Sequence, residues 1–226
     1  MLFLYPYLRL MTQPMKKLIP ALGLLALSSS LILNSVSAQK LFDGPVDRLP
    51  AEERVALRKG DVSIDGNEDP QGVVKYTARI LVNASQKQAW EVLTDYGNLK
   101  KFTPNLVDST LLAPDAQGHK RLRQTFQRQV LFFPVRSSVT VAVTEQPEEK
   151  LQFDRTEGFF EQFTGGWTIQ PVDEIPRGSG PKTLLTYQVA AKADNSVPKG
   201  VLRDAFKEDI PKTMESIRQE IARRQS

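Results

Sequence analysis

Hydrophobic and polar residues alternate through most of this chain. Val74, Tyr76, Ala78, Ile80 and Val82 are interleaved with Lys75, Thr77, Arg79 and Leu81, the two-residue period of a strand with one dry face. The same period recurs in residues 106–112, in 121–130 with Leu122, Phe126 and Val130 on one face, and in 135–144 with Val139, Val141 and Val143 together. It returns in 151–155, in 159–172 after a turn at Glu157-Gly158, and in 183–191, where Leu185, Tyr187, Val189 and Ala191 share a face. Strands this closely spaced predict a meandering antiparallel sheet. Gly165-Gly166 in the middle of a strand predicts a bulge or a sharp bend.

Two segments switch to helical spacing. Ser85 with Gln88 three residues later reads as a capping box, and the helix after it buries Ala89, Val92, Leu93 and Tyr96. That helix stops at Asp95-Tyr96-Gly97, and a second short turn ends at Phe102-Thr103-Pro104. Near the C-terminus, after Pro198, Leu202, Phe206, Ile210, Met214, Ile217 and Ile221 form one apolar stripe. Pro211 inside the stripe is expected to kink it. Arg203, Lys207, Glu208, Lys212, Glu215 and Arg218 make the solvated face. Residues 39–72 read as a lead-in that packs on the body. It has a helix opening at Leu49-Pro50-Ala51-Glu52-Glu53-Arg54 and ending at Gly60, and Val62 and Ile64 are placed for an edge strand. Strand, two short helices, about six or seven strands and a long helix define an α+β architecture. Its curved antiparallel sheet wraps the C-terminal helix and leaves a cavity between them.

The first 38 residues follow a different pattern. Met15-Lys16-Lys17 is a short basic start, Leu18 to Leu33 is apolar, and Val36-Ser37-Ala38 supplies small residues. This is the secretory signal pattern, with Met15 as an alternative start of translation, and export to a periplasm or an internal lumen is the expectation. An uncleaved membrane anchor is the alternative. Removing the segment changes the charge picture. Of 30 basic residues it holds Arg9, Lys16 and Lys17, and it holds none of the 26 acidic ones, so the remainder is nearly neutral. The basic composition therefore gives no support for a nucleic-acid partner. The chain has no cysteine and one histidine, His119. That excludes disulfides, a cysteine nucleophile and a multi-histidine metal site, and no cofactor is expected.

Val82-Asn83-Ala84-Ser85, Ala89 to Tyr96, Phe102-Thr103-Pro104-Asn105, Gly165-Gly166-Trp167 and the approach from Pro198 to Pro211 occur in an order that resembles the START-like superfamily, also called SRPBCC or helix-grip. Within it the chain is most similar to the coenzyme-Q-binding and polyketide cyclase/dehydrase branch. The resemblance covers residues 73 to about 223 and makes 73–226 the ligand-binding domain. It implies a deep apolar cavity for lipids, isoprenoid quinones or other hydrophobic small molecules. Some relatives are aromatase/cyclases and others are ligand chaperones. The family shares no catalytic triad that is carried over here. An exported chain would not meet ribosomes, which argues against the family's ribosome-associated branch.

Large side chains on the elements facing the cup are the candidate lining: Phe102, Phe126, Phe133, Phe160 and Phe163, with Trp167, Tyr187, Leu202 and Phe206. Each either fills the core or lines a pocket. Tyr96 offers a phenol to a ligand oxygen or simply packs, and Asp95 either holds the next turn or contacts a ligand. Arg128 shares strand parity with Phe126. It points inward, where it needs a partner or an anionic ligand group, or a bulge turns it out. His119 reads as an exposed turn residue. Glu157 and Glu161 make an acid/base pair only if one projects inward.

The leading expectation is a non-catalytic, exported, monomeric binding protein or carrier for a hydrophobic small molecule, a lipid, isoprenoid or quinone. The alternatives are a cyclase or dehydratase in the same cavity, or an assembly partner of a membrane complex. The run Leu131-Phe132-Phe133-Pro134 is either a membrane-touching tip, a partner patch or a buried turn.

Overall fold

The structure is a computed structural model, and it describes residues 42–43, 45–130, 133–174, 180–194, 197 and 200–226. The signal pattern of residues 1–38, Leu131-Phe132 and Pro198 lie outside the described residues. Residues 39–226 form one compact unit.

Among the described residues, nine strands make one antiparallel sheet. In chain order they are β1 (Phe42–Asp43), β2 (Ser63–Glu68), β3 (Val74–Val82), β4 (Leu106–Leu112), β5 (Lys120–Val130), β6 (Phe133–Gln146), β7 (Lys150–Gly158), β8 (Phe160–Glu174) and β9 (Lys182–Ala193). The α-helices among the described residues are α1 (Ala51–Lys59), α2 (Gln86–Leu93) and α3 (Val201–Arg223). The spatial order is β2-β3-β9-β8-β7-β6-β5-β4, with β1 pairing β8. The sequence led us to expect six or seven strands. Beyond these come the two-residue β1, too short to alternate visibly, and β2, the edge strand for which Val62 and Ile64 were placed. The second short helix expected after the first body strand is a three-residue 3-10 turn, Leu99–Lys101.

Alternation fixes the faces. β3 buries every second residue from Val74 to Val82. These join Leu122, Val139, Val141, Val143, Leu151, Phe153, Ile169, Leu185 and Val189 on one face. Ile210, Met214, Ile217 and Ile221 of α3 pack onto that face, each worth about 1.5–3 kcal/mol of transfer free energy. On the other face, Val46 and Leu57 of the lead-in cover Val172 and Leu184. Gly60 ends α1 in the left-handed conformation, and its carbonyl accepts from Arg218 of α3. Ser85 and Gln88 form the reciprocal capping box at the start of α2. The α3 helix runs through Pro211 from Val201 to Arg223.

The sheet is wrapped around α3. The Tyr76 hydroxyl on β3 donates to the Arg203 carbonyl, and Arg128 Nη2 on β5 donates to the Ala205 carbonyl, each at 3.1 Å. Strands β3 and β5 are five positions apart in the sheet, about 24 Å if it were flat. Their partners on α3 are two residues apart, about 3 Å along the axis. Only a strongly curved sheet brings both strands to one turn of one helix. Register shifts at Leu106/Asp108, Thr140/Val141 and Phe160/Gln162 mark where strands bend. None falls at Gly165-Gly166, where a bulge was expected. Both glycines stay in register, and a Cβ on either would stand 2.2 Å from a carbonyl oxygen of the neighbouring strand. These glycines mark close backbone approach.

Candidate functional site: the concave face of the sheet

Strand parity collects the large side chains on the concave face. Phe163 stacks on Phe160 at 4.8 Å and on Phe153 at 5.1 Å between ring centroids. Trp167 lies 4.7 Å from Tyr187, and Tyr187 lies 6.3 Å from Phe153. Phe206 of α3 closes toward Phe160 and Tyr76, both at 6.4 Å. The result is a continuous aromatic wall running across β7, β8 and β9 to the helix.

Most of the residues singled out from the sequence meet here. Phe160 is buried, whereas Phe163, Trp167, Tyr187, Leu202 and Phe206 are half-buried and pack on the core cluster. Phe126 on β5 and Phe102 after the 3-10 turn are half-buried at the other side of the cup. The side chain of Phe133 lies outside the described residues. The Tyr187 hydroxyl has no hydrogen-bond partner among the described residues, and burial pushes its pKa up, so it stays a neutral phenol.

Tyr96 and Arg128 are committed to protein partners. Tyr96 is buried, and its hydroxyl donates to Glu145 Oε1 at 2.6 Å. Burial first, and then that bond, hold its proton well above the usual phenol range. Arg128 points inward, as its parity with Phe126 requires. Its Nε donates to Asp209 Oδ2 on α3 at 3.0 Å. Asn105, at φ 61, donates to the same carboxylate through Nδ2. Asp209 thus ties β5 and the entry to β4 to the helix.

Asp95 serves structure: one oxygen accepts from Asn98 Nδ2 at 2.8 Å and the other from Arg224 Nη2 at 2.7 Å. His119 sits exposed in its turn against Asp115. Glu157 pairs with Arg121 and Glu161 with Lys192, so the two do not form an acid/base couple.

The sequence reading missed Gln124 on β5 and Arg155 on β7. Gln124 pairs with Val139, and Arg155 pairs with Val141, both buried core residues, so both face inward. Parity with Leu122 and Phe126 signals Gln124, and parity with Leu151 and Phe153 signals Arg155. The strand expected over 151–155 stops at Arg155, whereas β7 continues to Gly158. Outside the cup, an open depression of about 450 Å³ lies on the convex face between Asp65, Asn67, Lys75, Thr164 and Gln188.

A curved antiparallel sheet gripping a C-terminal helix, with aromatic rings left half-buried on the gripped face, defines the START-like class of ligand-binding domain. The profile for "polyketide cyclase / dehydrase and lipid transport" proteins matches residues 82–218, more than half of the 226, and the chain belongs to that family. Solved structures with the same fold include a START superfamily protein from Mycobacterium smegmatis, with TM-score 0.53 and 16% identity over 66% of this chain and 97% of that one. The ZhuI aromatase/cyclase from Streptomyces sp. R1128 gives 0.53 and 15% over 68% and 96%. Human StAR-related lipid transfer protein 5 gives 0.55 and 12% over 74% and 84%. At these identities the likeness is one of fold. No curated protein sequence matches the chain.

Proposed function

We propose that this protein binds and carries a hydrophobic small molecule, a lipid, isoprenoid or quinone, between the concave face and α3, and that it works outside the compartment of its synthesis. The observation that carries the reading is the aromatic wall. Phe163, Trp167, Tyr187 and Phe206 pack on the core and yet remain half-buried, on the face that the helix covers. Covering the rest of those rings with an apolar ligand is favourable at about 25 cal/mol per Å². The charged groups that reach the cup from β5 and β6, Arg128 and Glu145, are answered by Asp209, Tyr96 and Lys120. Carrying a ligand needs no reactive group, and one protein of similar fold is a lipid transfer protein. The export part rests on the Met15 to Ala38 pattern.

The test is mass spectrometry of protein purified natively from its own host, with N-terminal sequencing of the mature form. A co-purifying lipid or quinone and an N-terminus at Gln39 are expected. An empty protein that also fails to bind fluorescent lipid analogues would sink the carrier reading. A second reading, a cyclase or dehydratase, is favoured by one observation, the unpartnered Tyr187 phenol beside Trp167 and Phe153. It predicts turnover of a polyketide substrate that Tyr187→Phe abolishes while leaving binding intact.

A further inference from the structure

Resting on the carrier reading, we infer that the ligand is an amphipath with an anionic head, a carboxylate or a phosphate, and that Arg155 receives the head with Gln124 facing it. Arg155 follows Leu151 and Phe153 on the inward side of β7 and is half-buried beside Val141. Its Nη2 donates to the Gly158 carbonyl at 3.1 Å, and its Nε is buried without a partner. No carboxylate pairs with it among the described residues, in contrast to Arg128 with Asp209. A guanidinium on an apolar wall, with a buried N–H left over, is costly until an acceptor arrives, and carboxylate and phosphate match its fork.

The surroundings fit a head-group site. Gly158, which anchors the guanidinium, pairs with Val139, and Val139 pairs with Gln124, two strands or about 10 Å away. Gln124 pairs in turn with Ser109, whose buried Oγ has no partner either. The Gln124 side chain makes no hydrogen bond among the described residues. Gln124 and Ser109 therefore share the transverse row of Gly158, each without a hydrogen bond from its side chain among the described residues, and Arg155, with its Nε unpartnered, stands on the adjacent inward row through Val141 and Leu122. The aromatic wall starts beside this row at Phe160 and Phe163 and continues through Phe153 to Tyr187 and Trp167. A head at Arg155 would lead a tail along those rings.

The experiment compares pyrene-hexadecanoic acid with its methyl ester on the wild-type protein, by fluorescence titration at neutral pH. The acid is expected to bind at least about tenfold tighter. Arg155→Gln is expected to remove that preference while leaving ester binding unchanged, and Arg155→Lys to keep part of it. Arg136→Gln, which removes an exposed arginine, is expected to change neither. Equal binding of acid and ester by the wild type overturns the inference and leaves the carrier reading standing. Binding of neither overturns both. Retention of the full preference in Arg155→Gln also overturns it. Displacement of the acid by inorganic phosphate at equal concentration would make the row a site for small free anions and end the lipid-head assignment.

Discussion

The Tyr96 hydroxyl donates to Glu145 Oε1 at 2.6 Å, joining the segment after α2 to β6 across 49 residues of sequence. Glu145 Oε2 accepts from Lys120 at 2.7 Å, so the pair becomes a three-member pin that also takes in β5. Tyr96→Phe removes one hydrogen bond to a charged acceptor and leaves that acceptor to Lys120. A loss of about 1.5–3 kcal/mol in urea unfolding is expected, with lipid-analogue binding unchanged. A binding defect without a stability defect would reassign Tyr96 to the ligand.

Glu220, buried on α3, accepts from Arg223 and Arg224, and Arg224 reaches on to Asp95 beyond α2. Its hydrogen bonds to Arg223 and then to Arg224 pull its pKa from 4.5 down to about 2. A depressed carboxylate stabilises the fold above its unfolded pKa and loses that stabilisation as pH falls through the folded value. Glu220→Gln should therefore unfold more readily than wild type at neutral pH, and the difference should shrink between about pH 4.5 and 2. Urea midpoints measured across that window check it. A gap that is constant with pH would show that packing, and not charge, is what the mutation removed.

Gly165 leaves no room for a methyl group. A Cβ there would lie 2.2 Å from the Gln188 carbonyl and 2.9 Å from the Phe153 ring. Gly165→Ala should cost about 1–3 kcal/mol by forcing β8 from β9 and tilting Phe153 off Phe163. Thermal melts read the stability, and near-ultraviolet circular dichroism reads the aromatic stack. An unchanged melting temperature would contradict the placement of β8.

Arg128→Ala and Asp209→Ala each break the tie between β5 and α3. A double-mutant cycle is expected to give a coupling of about 1 kcal/mol or more for this partly buried pair. Each single variant should release a bound lipid analogue faster, as stopped-flow fluorescence would record. Strictly additive effects would mean that the ion pair is incidental.

How much of this was legible in the sequence depended on distance along the chain. The capping box at Ser85 and Gln88, the stop at Gly60 and the inward parity of β3 are local features, and local residues determine them. β4 was read at its observed bounds. The partners were out of reach. Asp209 for Arg128 is 81 residues away, and only the curvature of the sheet makes them neighbours. Glu145 continues the inward parity of Val139, Val141 and Val143, but a carboxylate at the end of an apolar run reads as the start of a turn. Arg155 is hidden in the same way, because the charged pair Asp154-Arg155 after Phe153 resembles a strand end. Gly165 and Gly166 were seen, but two glycines do not distinguish a bulge from two backbones in contact.

Two of the bonds that hold α3 from opposite sides, Tyr76 to the Arg203 carbonyl and Arg128 to the Ala205 carbonyl, fall two residues apart near its N-terminal end. Lifting that end breaks both together, because a rigid helical turn cannot leave one and stay with the other. Filling and emptying should then share a single gate. A preloaded fluorescent lipid would leave in one exponential phase, at a rate set by how often that turn swings away and not by the concentration of the acceptor membrane.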